Sequence, residues 1–424
     1  MENLTNFNKE ELAKTKAELL KKYKDYQNLN LNLNMTRGKP SKEQLALSMP
    51  LLDVLNSSSD CTDAYGTDCR NYGELLGIKE ARKLFGELLG TSIEETIVVG
   101  QSSFNFMYEL MAMAMLKGTL GSDKPWSKYD KVKFLCPVPG YDRHFTICEF
   151  LGIEMINIPL TEDGPDMDLV EKYASSDESV KGIWCVPKYS NPLGVCYSDE
   201  TIKRLANLKT AAKDFRIFWD NAYSVHAIYK DIQILNILDE CKKAGNPNMV
   251  YMFGSTSKMT LPGAGVGYFG ASKENVEYIE NQLKCVCISY DKMNMLRHVR
   301  YLKDIDNIKG IMAKQADILR PKFDAVLNTL DEELGNSGAG SWVKPGGGYF
   351  VTYVGKKGTA KRIHALCKDA GVLLTEPGST HPYHKDPDDS YLRLAPSFPS
   401  LDDVKMAMKV FCVAAQIATI ETLE

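Results

Sequence analysis

Lys258 is the residue whose chemistry the sequence frames most plainly. It follows the apolar run 250–253 and is hemmed by small residues, in GSTSKM and then LPGAGVG. An amine in a confined, partly desolvated place can lose its proton and can then condense with an aldehyde. Asp220 closes another apolar run, RIFWD. A carboxylate there is costly without a cationic partner; an arginine of the protein or a protonated pyridine nitrogen would serve. Gly100-Gln101-Ser102-Ser103 precede the helical pattern FNFMYELMAMAML. Free N–H groups and hydroxyls at a helix N-terminus make an anion site, or simply an ordinary cap. Ser255 and Ser257 flank the lysine and could add phosphate donors, or be turn residues. An anion cradle, an aldehyde-reactive lysine and a pyridinium partner together describe pyridoxal 5'-phosphate. Tyr141, in VPGYDRH, could stack on its flat ring, and Asn191 and Tyr223 could bond its phenolic oxygen.

These residues need a scaffold that gathers them. Short apolar runs at 97–99, 132–137, 154–159, 182–186, 216–220, 250–253 and 266–270 predict strands, with room for helices between most of them. Strands alternating with helices argue a mostly parallel, helix-covered sheet of α/β class. The last strand follows its predecessor too closely for a crossover helix, which predicts an antiparallel pair. Ligands of such sheets bind beyond the carboxyl ends of the strands, and five of these ends carry the candidates above. Helices are predicted at 9–23, with Leu12, Leu19, Leu20 and Tyr23 on one face, and in IKEARKLFGELLG after Gly77. Ser198 should cap ETIKRLANLKTAAK, with Ile202, Leu205, Leu208 and Ala212 inward. The Asn-rich stretch 28–40 reads as irregular. From about residue 272 the pattern turns to long helices through 334, then SWVKPGGGYFVTYV, a helix at 361–370, a strand at 372–375, YLRLAP and a closing helix from Asp402. This is the α+β character of a second domain.

Composition bounds the rest. A chain of 424 residues suggests two or three domains at roughly 100–200 residues each. Hydrophobic residues at 44% supply a large core, and a net charge of −4 with no basic tract argues against a nucleic-acid partner. No apolar run approaches the roughly 20 residues of a membrane span, and the N-terminal segment reads as a polar helix rather than a signal peptide. Eleven cysteines without a CxxC pair suggest reduced thiols in the cytoplasm, and six histidines without HExxH suggest no metal. GAGVG at 263–267 precedes a strand, whereas a dinucleotide fingerprint follows one. PGGGYF at 345–350 lacks a P-loop ending and reads as a turn, or as a stretch that lines the substrate cleft.

The stretches NYGELLGIKEAR, PVPGYDRH, SNPLG, FWDNAYS, STSK and YLRLAPSFP stand in an order and spacing that resemble the class I, fold-type-I pyridoxal-phosphate aminotransferases, from about residue 36 to 397. MTRGKPS, GQSSFN and LRHVR make the chain most similar to the bacterial aspartate aminotransferase subgroup. The resemblance implies a large coenzyme-binding domain at 56–304, with a seven-stranded sheet, and a smaller α+β domain built from both chain ends, 1–55 and 305–424. It implies that Lys258 forms a Schiff base with pyridoxal phosphate and carries the proton, that Asp220 bonds the pyridine nitrogen and that Tyr141 stacks on the ring. Asn191 and Tyr223 would bond the phenolic oxygen; Gln101, Ser102, Ser103, Ser255 and Ser257 would surround the phosphate. Arg393 would grip the substrate α-carboxylate, with Arg37, Gly38 and Asn191 beside it. Tyr72 would reach the phosphate of the neighbouring subunit, making the enzyme a homodimer with shared active sites. One departure stands out. Relatives carry a phosphate-binding arginine after the lysine, where this chain reads SKMTLPGAGVG; Arg143 and Lys39 are the candidates to replace it. A distal substrate carboxylate would need a second cation, from Arg37, Arg143, Arg297, His298 or Arg300. The implied reaction is a ping-pong transamination between an amino acid, aspartate, and a 2-oxo acid, 2-oxoglutarate. The rivals are another donor, a β-lyase, synthase or decarboxylase on the same coenzyme, or a coenzyme-binding regulator.

Overall fold

Eight strands form the central sheet of the computed structural model, which describes residues 3–424. Residues 1 and 2 of the expected first segment lie outside the described residues. In chain order the strands are β1 (Thr96–Val98), β2 (Lys133–Val138), β3 (Glu154–Thr161), β4 (Gly164–Pro165), β5 (Val180–Cys185), β6 (Arg216–Asp220), β7 (Val250–Ser255) and β8 (Gly267–Gly270). They lie side by side as β1-β8-β7-β6-β5-β2-β3-β4. The run from β7 to β3 is parallel. β8 is antiparallel to both of its neighbours, because the stretch between β7 and β8 holds only two short turns. Seven strands match the apolar runs. The eighth, β4, is a two-residue return of β3, too short to leave a pattern in the sequence.

Alternation puts successive residues of the strands on opposite faces. Along β6, Ile217 and Trp219 enter the core on one face, and Phe218 enters the other with Trp184, Phe253 and Phe269. Both faces are buried, which is why these strands read as unbroken apolar runs. Helices Ser103–Lys117 and Asp142–Phe150 cover the face of Phe218. Asp199–Ala206, Ile237–Lys243 and Lys292–Leu302 cover the other. The helix after Ser198 is shorter than expected: it stops at Asn207, and Leu208 and Ala212 are buried from irregular backbone.

A third apolar core joins the first helix to the C-terminal region. Leu12, Leu19 and Tyr23 of Lys9–Asn28 pack with Leu319, Phe323 and Leu330 of Ile305–Leu334 and with the closing helix Leu401–Leu423. The 30-residue helix Ile305–Leu334 starts against the sheet, through Ile308 and Met312, and ends in this third core. A three-stranded antiparallel sheet, Gly340–Trp342, Val351–Gly355 and Tyr391–Leu394, carries Arg393. Within the Asn-rich stretch, Leu33–Met35 forms a strand beside Val372–Leu374, where an irregular segment was expected. The closing helix also corrects the sequence reading. It is long and apolar enough to cross a membrane, yet 72% of its most apolar window is buried inside the protein. It is the central helix of the third core.

Candidate active site

Two adjoining cavities open where the carboxyl ends of β2, β5, β6 and β7 meet the N-terminus of helix Ser103–Lys117. They share Tyr141, Arg143 and Lys258 in their walls. The inner one, about 480 Å³, adds Ser102, Ser103, Asp220, Ser255 and Ser257. The outer one, about 620 Å³, adds Arg37, Gly38, Lys39, Asn191, Tyr223 and Arg393.

Lys258 stands on a tight turn, Thr256–Lys258, that leaves the end of β7. Ser255 Oγ accepts from the Ser257 N–H at 3.2 Å and Thr256 Oγ1 accepts from the Val266 N–H at 2.9 Å, so the turn is pinned on both sides. The Lys258 ammonium lies 5.0 Å from the centre of the Tyr223 ring. Burial lowers the pKa of its amine, and the nearby Asp220 opposes that shift without cancelling it.

Asp220 ends β6 and is buried. No arginine pairs with it among the described residues. Its Oδ2 lies 3.0 Å from His144 Nε2, and His144 stacks flat on Trp184 with ring centres 4.3 Å apart. Asp220 Oδ1 is buried without a partner. Such an atom costs roughly 1–3 kcal/mol, more when charged, unless a donor arrives. A protonated pyridine nitrogen is such a donor, and the inner cavity that Asp220 lines has room for one.

Tyr141 caps helix Asp142–Phe150, and its ring meets His144 edge-on at 5.0 Å. Burial and the carboxylates of Asp142 and Asp220 raise its phenol pKa. Burial likewise raises that of Tyr223. Ser102 caps helix Ser103–Lys117 through the Asn105 N–H, at 3.4 Å, and lines the inner cavity as well. Gln101 behaves differently. Its side chain donates to the carbonyls of Pro262, at 3.2 Å, and Gly263, at 3.3 Å, tying the loop after Lys258 to this turn instead of lining the cavity.

Arg393 is buried on its strand. Its Nη1 donates to Asn191 Oδ1 at 3.2 Å and lies 3.4 Å from Asp142 Oδ1. Its guanidinium covers the Phe350 ring at 4.8 Å, and its Nε has no partner. Gly38 lets the 36–39 segment lie against Phe350, since a Cβ there would meet that ring at 2.5 Å. Arg37 is exposed on the outer cavity. The structure separates the other candidates from the site. His298 bonds Thr260 Oγ1 at 3.0 Å and the Asn294 carbonyl at 2.8 Å, and burial lowers its pKa to about 4. Arg300 donates to the Thr62 carbonyl at 3.3 Å. Neither these two nor Arg297 lines either cavity. Tyr72 is 78% exposed and lines a different cavity with Lys292.

Two residues not singled out in the sequence belong here. His144 holds Asp220; its signal is the spacing of three from Tyr141, which sets both on one face of a helix. Phe350 backs Arg393, and PGGGYF is more than a turn. Gly346 O accepts from the N–H groups of Ile228, at 3.0 Å, and Tyr229, at 2.9 Å, locking the loop that presents Phe350.

Known proteins carry the same architecture. The aspartate amino-transferase family model matches residues 7–424. The aspartate aminotransferase of Corynebacterium glutamicum is 41% identical over 420 residues, 99% of this chain and 97% of that one. A putative aminotransferase of Mycolicibacterium smegmatis is 46% identical over 403 residues, 95% of this chain and 94% of that one. The crystal structure of an aspartate transaminase from Corynebacterium glutamicum superposes with a TM-score of 0.97 at 41% identity, covering 100% of this chain and 99% of that one. The chain therefore belongs to the aspartate amino-transferase family and is an aminotransferase.

Proposed function

We propose that this aminotransferase uses pyridoxal 5'-phosphate to move an amino group from aspartate to 2-oxoglutarate, in ping-pong fashion. The observation that carries the coenzyme is the pair facing the inner cavity: an amine whose pKa burial lowers, Lys258, and a buried carboxylate oxygen without a partner, Asp220 Oδ1. When bound, pyridoxal phosphate supplies an aldehyde and an electron-withdrawing ring. Asp220, held by His144, fixes the proton on the ring nitrogen. Tyr141 covers a ring face, Asn191 and Tyr223 meet the phenolic oxygen, and Ser102, Ser103, Ser255 and Ser257 surround the phosphate. Lys258 moves the proton at the substrate Cα, within hydrogen-bond reach. Arg393 holds the α-carboxylate, with a guanidinium already oriented by Asn191 and Phe350.

A dicarboxylic donor suits the outer cavity. Even without Arg143, the cations Arg37, Lys39 and Arg393 line it against Asp142 and Glu376, so a second carboxylate enters an excess of positive charge. The relatives named for aspartate support the same choice. The reading includes a coenzyme-binding unit at 56–304 and a smaller one from 1–55 and 305–424. It includes a homodimer in which Tyr72 serves the other copy's phosphate, and a cytoplasmic setting where the eleven free cysteines stay reduced.

The test begins with colour. Protein supplied with pyridoxal phosphate should absorb in the visible, and borohydride should fix the chromophore to the peptide containing Lys258. A panel of amino donors against 2-oxoglutarate should then rank aspartate first. Colourless protein would refute the coenzyme; a leading aromatic or aliphatic donor would refute the substrate.

A further inference from the structure

We propose that Arg143 supplies the guanidinium that grips the coenzyme phosphate in this chain, reaching it from the first turn of helix Asp142–Phe150 instead of from the loop after Lys258. This rests on the pyridoxal-phosphate reading above.

The loop after Lys258 carries no cation from 259 to 266, and at Gly265 there is no room for one. Gly265 sits where a Cβ would lie 2.8 Å from the Gln101 carbonyl oxygen and 3.3 Å from Ser257 Oγ. Its backbone is closed on both sides as well. Gln101 Nε2 donates to the Pro262 and Gly263 carbonyls, and Asn294 Nδ2 donates to those of Ala264 and Gly265, each at 3.0 Å. A long side chain at 265 would displace the carbonyl that leads into Ser102.

Arg143 is placed to take over. Lys258 and Arg143 are the two cations in the wall of the inner cavity, beside Ser102, Ser103, Ser255 and Ser257. Lys258 is committed to the aldehyde, so the phosphate charge falls to Arg143. The other candidate is engaged elsewhere: the Lys39 ammonium lies 3.9 Å over the Phe398 ring and lines only the outer cavity. The Arg143 guanidinium has no hydrogen-bond or ion-pair partner among the described residues. Its neighbour Asp142 points to Arg393 at 3.4 Å and so does not neutralise it. A cation in the first turn of a helix also faces the positive end of the helix dipole, which is unfavourable. An anion seated against it offsets that cost, and a planar guanidinium matches phosphate in a two-point fashion.

The test compares ligands with and without the phosphate. Apoenzyme, Arg143→Gln and Arg143→Lys are titrated with pyridoxal 5'-phosphate and with pyridoxal, following the visible chromophore. Loss of a charged hydrogen-bond pair should weaken pyridoxal phosphate by roughly 10- to 100-fold in Arg143→Gln, with pyridoxal unchanged within about twofold and Arg143→Lys in between. Inorganic phosphate should raise the melting temperature of wild-type apoenzyme and do so less for Arg143→Gln. Unchanged pyridoxal-phosphate affinity with a raised KM for dicarboxylic substrates would overturn the proposal and move Arg143 to the substrate. Equal weakening of both ligands would overturn it too. If neither ligand bound the wild-type protein, the coenzyme reading itself would fall, a result distinct from either.

Discussion

Asp214 and Asp220 flank the same strand, β6, and both are buried, yet they are treated in opposite ways. Asp214, at the amino end, takes Lys181 Nζ at 2.8 Å, Trp126 Nε1 at 2.8 Å and Ser122 Oγ at 2.6 Å. Burial by itself would raise its carboxyl pKa; Lys181, Ser122 and Trp126 outweigh burial and hold it below the usual carboxylate range. Asp220, at the carboxyl end, has only His144 on one oxygen, and the other is without a partner. A carboxylate that serves the fold has its partners built in. On the proposed function, Asp220 instead keeps an acceptor in reserve for the coenzyme ring nitrogen. The same end of the sheet holds the unpaired Nε of Arg393 and a lysine whose amine pKa burial lowers. The strand thus carries a folding site at its amino end and the proposed reacting site at its carboxyl end.

Substitutions can break this contrast. Lys258→Ala should remove the proton carrier and lower kcat on the order of 10⁴-fold or more. The fold should survive, since a buried amine that resists charging adds little. Steady-state turnover near the wild-type rate would end its role. Asp220→Asn should keep the His144 contact and the melting temperature while costing about 10²–10⁴-fold in kcat. Asp214→Asn should do the reverse. It leaves the Lys181 ammonium buried beside a neutral amide, a loss of about 3–5 kcal/mol in stability by urea unfolding, with kcat of the folded fraction unchanged. Its pH dependence sharpens the test. A depressed folded pKa contributes fully above the ordinary carboxyl value of 3.8 and is lost as pH falls through the lower folded value. Wild-type stability should therefore drop below about pH 4, and the drop should be shallower in Asp214→Asn. Equal stability losses in the two Asp→Asn variants would erase the distinction.

What could be read from the sequence follows from which signals are local. Lys258, Asp220 and Ser102 were legible because each sits at the end of an apolar run, and the architecture of parallel sheets brings such ends together. Arg393 carried no local signal of its own and came from the resemblance. His144 was hidden, since its function depends on Asp220, which arrives from a strand 76 residues later. Gln101 looked like a ligand for phosphate, yet its amide is used up on two carbonyls far along the chain. The shortest elements, β4 and Leu33–Met35, have two and three residues, too few for any period to show. The closing helix stands where the sequence put it, from about Asp402, but its burial was not legible. Lys405 and Lys409 interrupt the pattern in its first half, although most of its apolar window is buried inside the protein.

His226 extends the contrast to a weaker effect. It lies six residues past Asp220, 3% exposed, edge-on to Tyr223 at 5.7 Å and to Tyr349 at 5.9 Å, with both ring nitrogens lacking partners. Burial, and then the charge of nearby Lys258, lower its pKa from 6.5 to about 3. The folded value is depressed, so between those limits the unfolded chain takes up a proton that the native state refuses. Native stability should therefore fall as pH drops from 6.5 towards 3, by about 1.4 kcal/mol per pH unit for this one group. His298, lowered to about 4, should add a similar slope over a narrower range. His226→Phe keeps an aromatic ring between the two tyrosines and removes the proton site. Its unfolding free energy, measured in urea from pH 7 to 5, should fall less steeply than that of the wild type, with the remaining slope left to His298 and the other groups. An unchanged slope would mean that His226 takes up its proton in the native state as readily as in the unfolded chain, and so has a polar partner there.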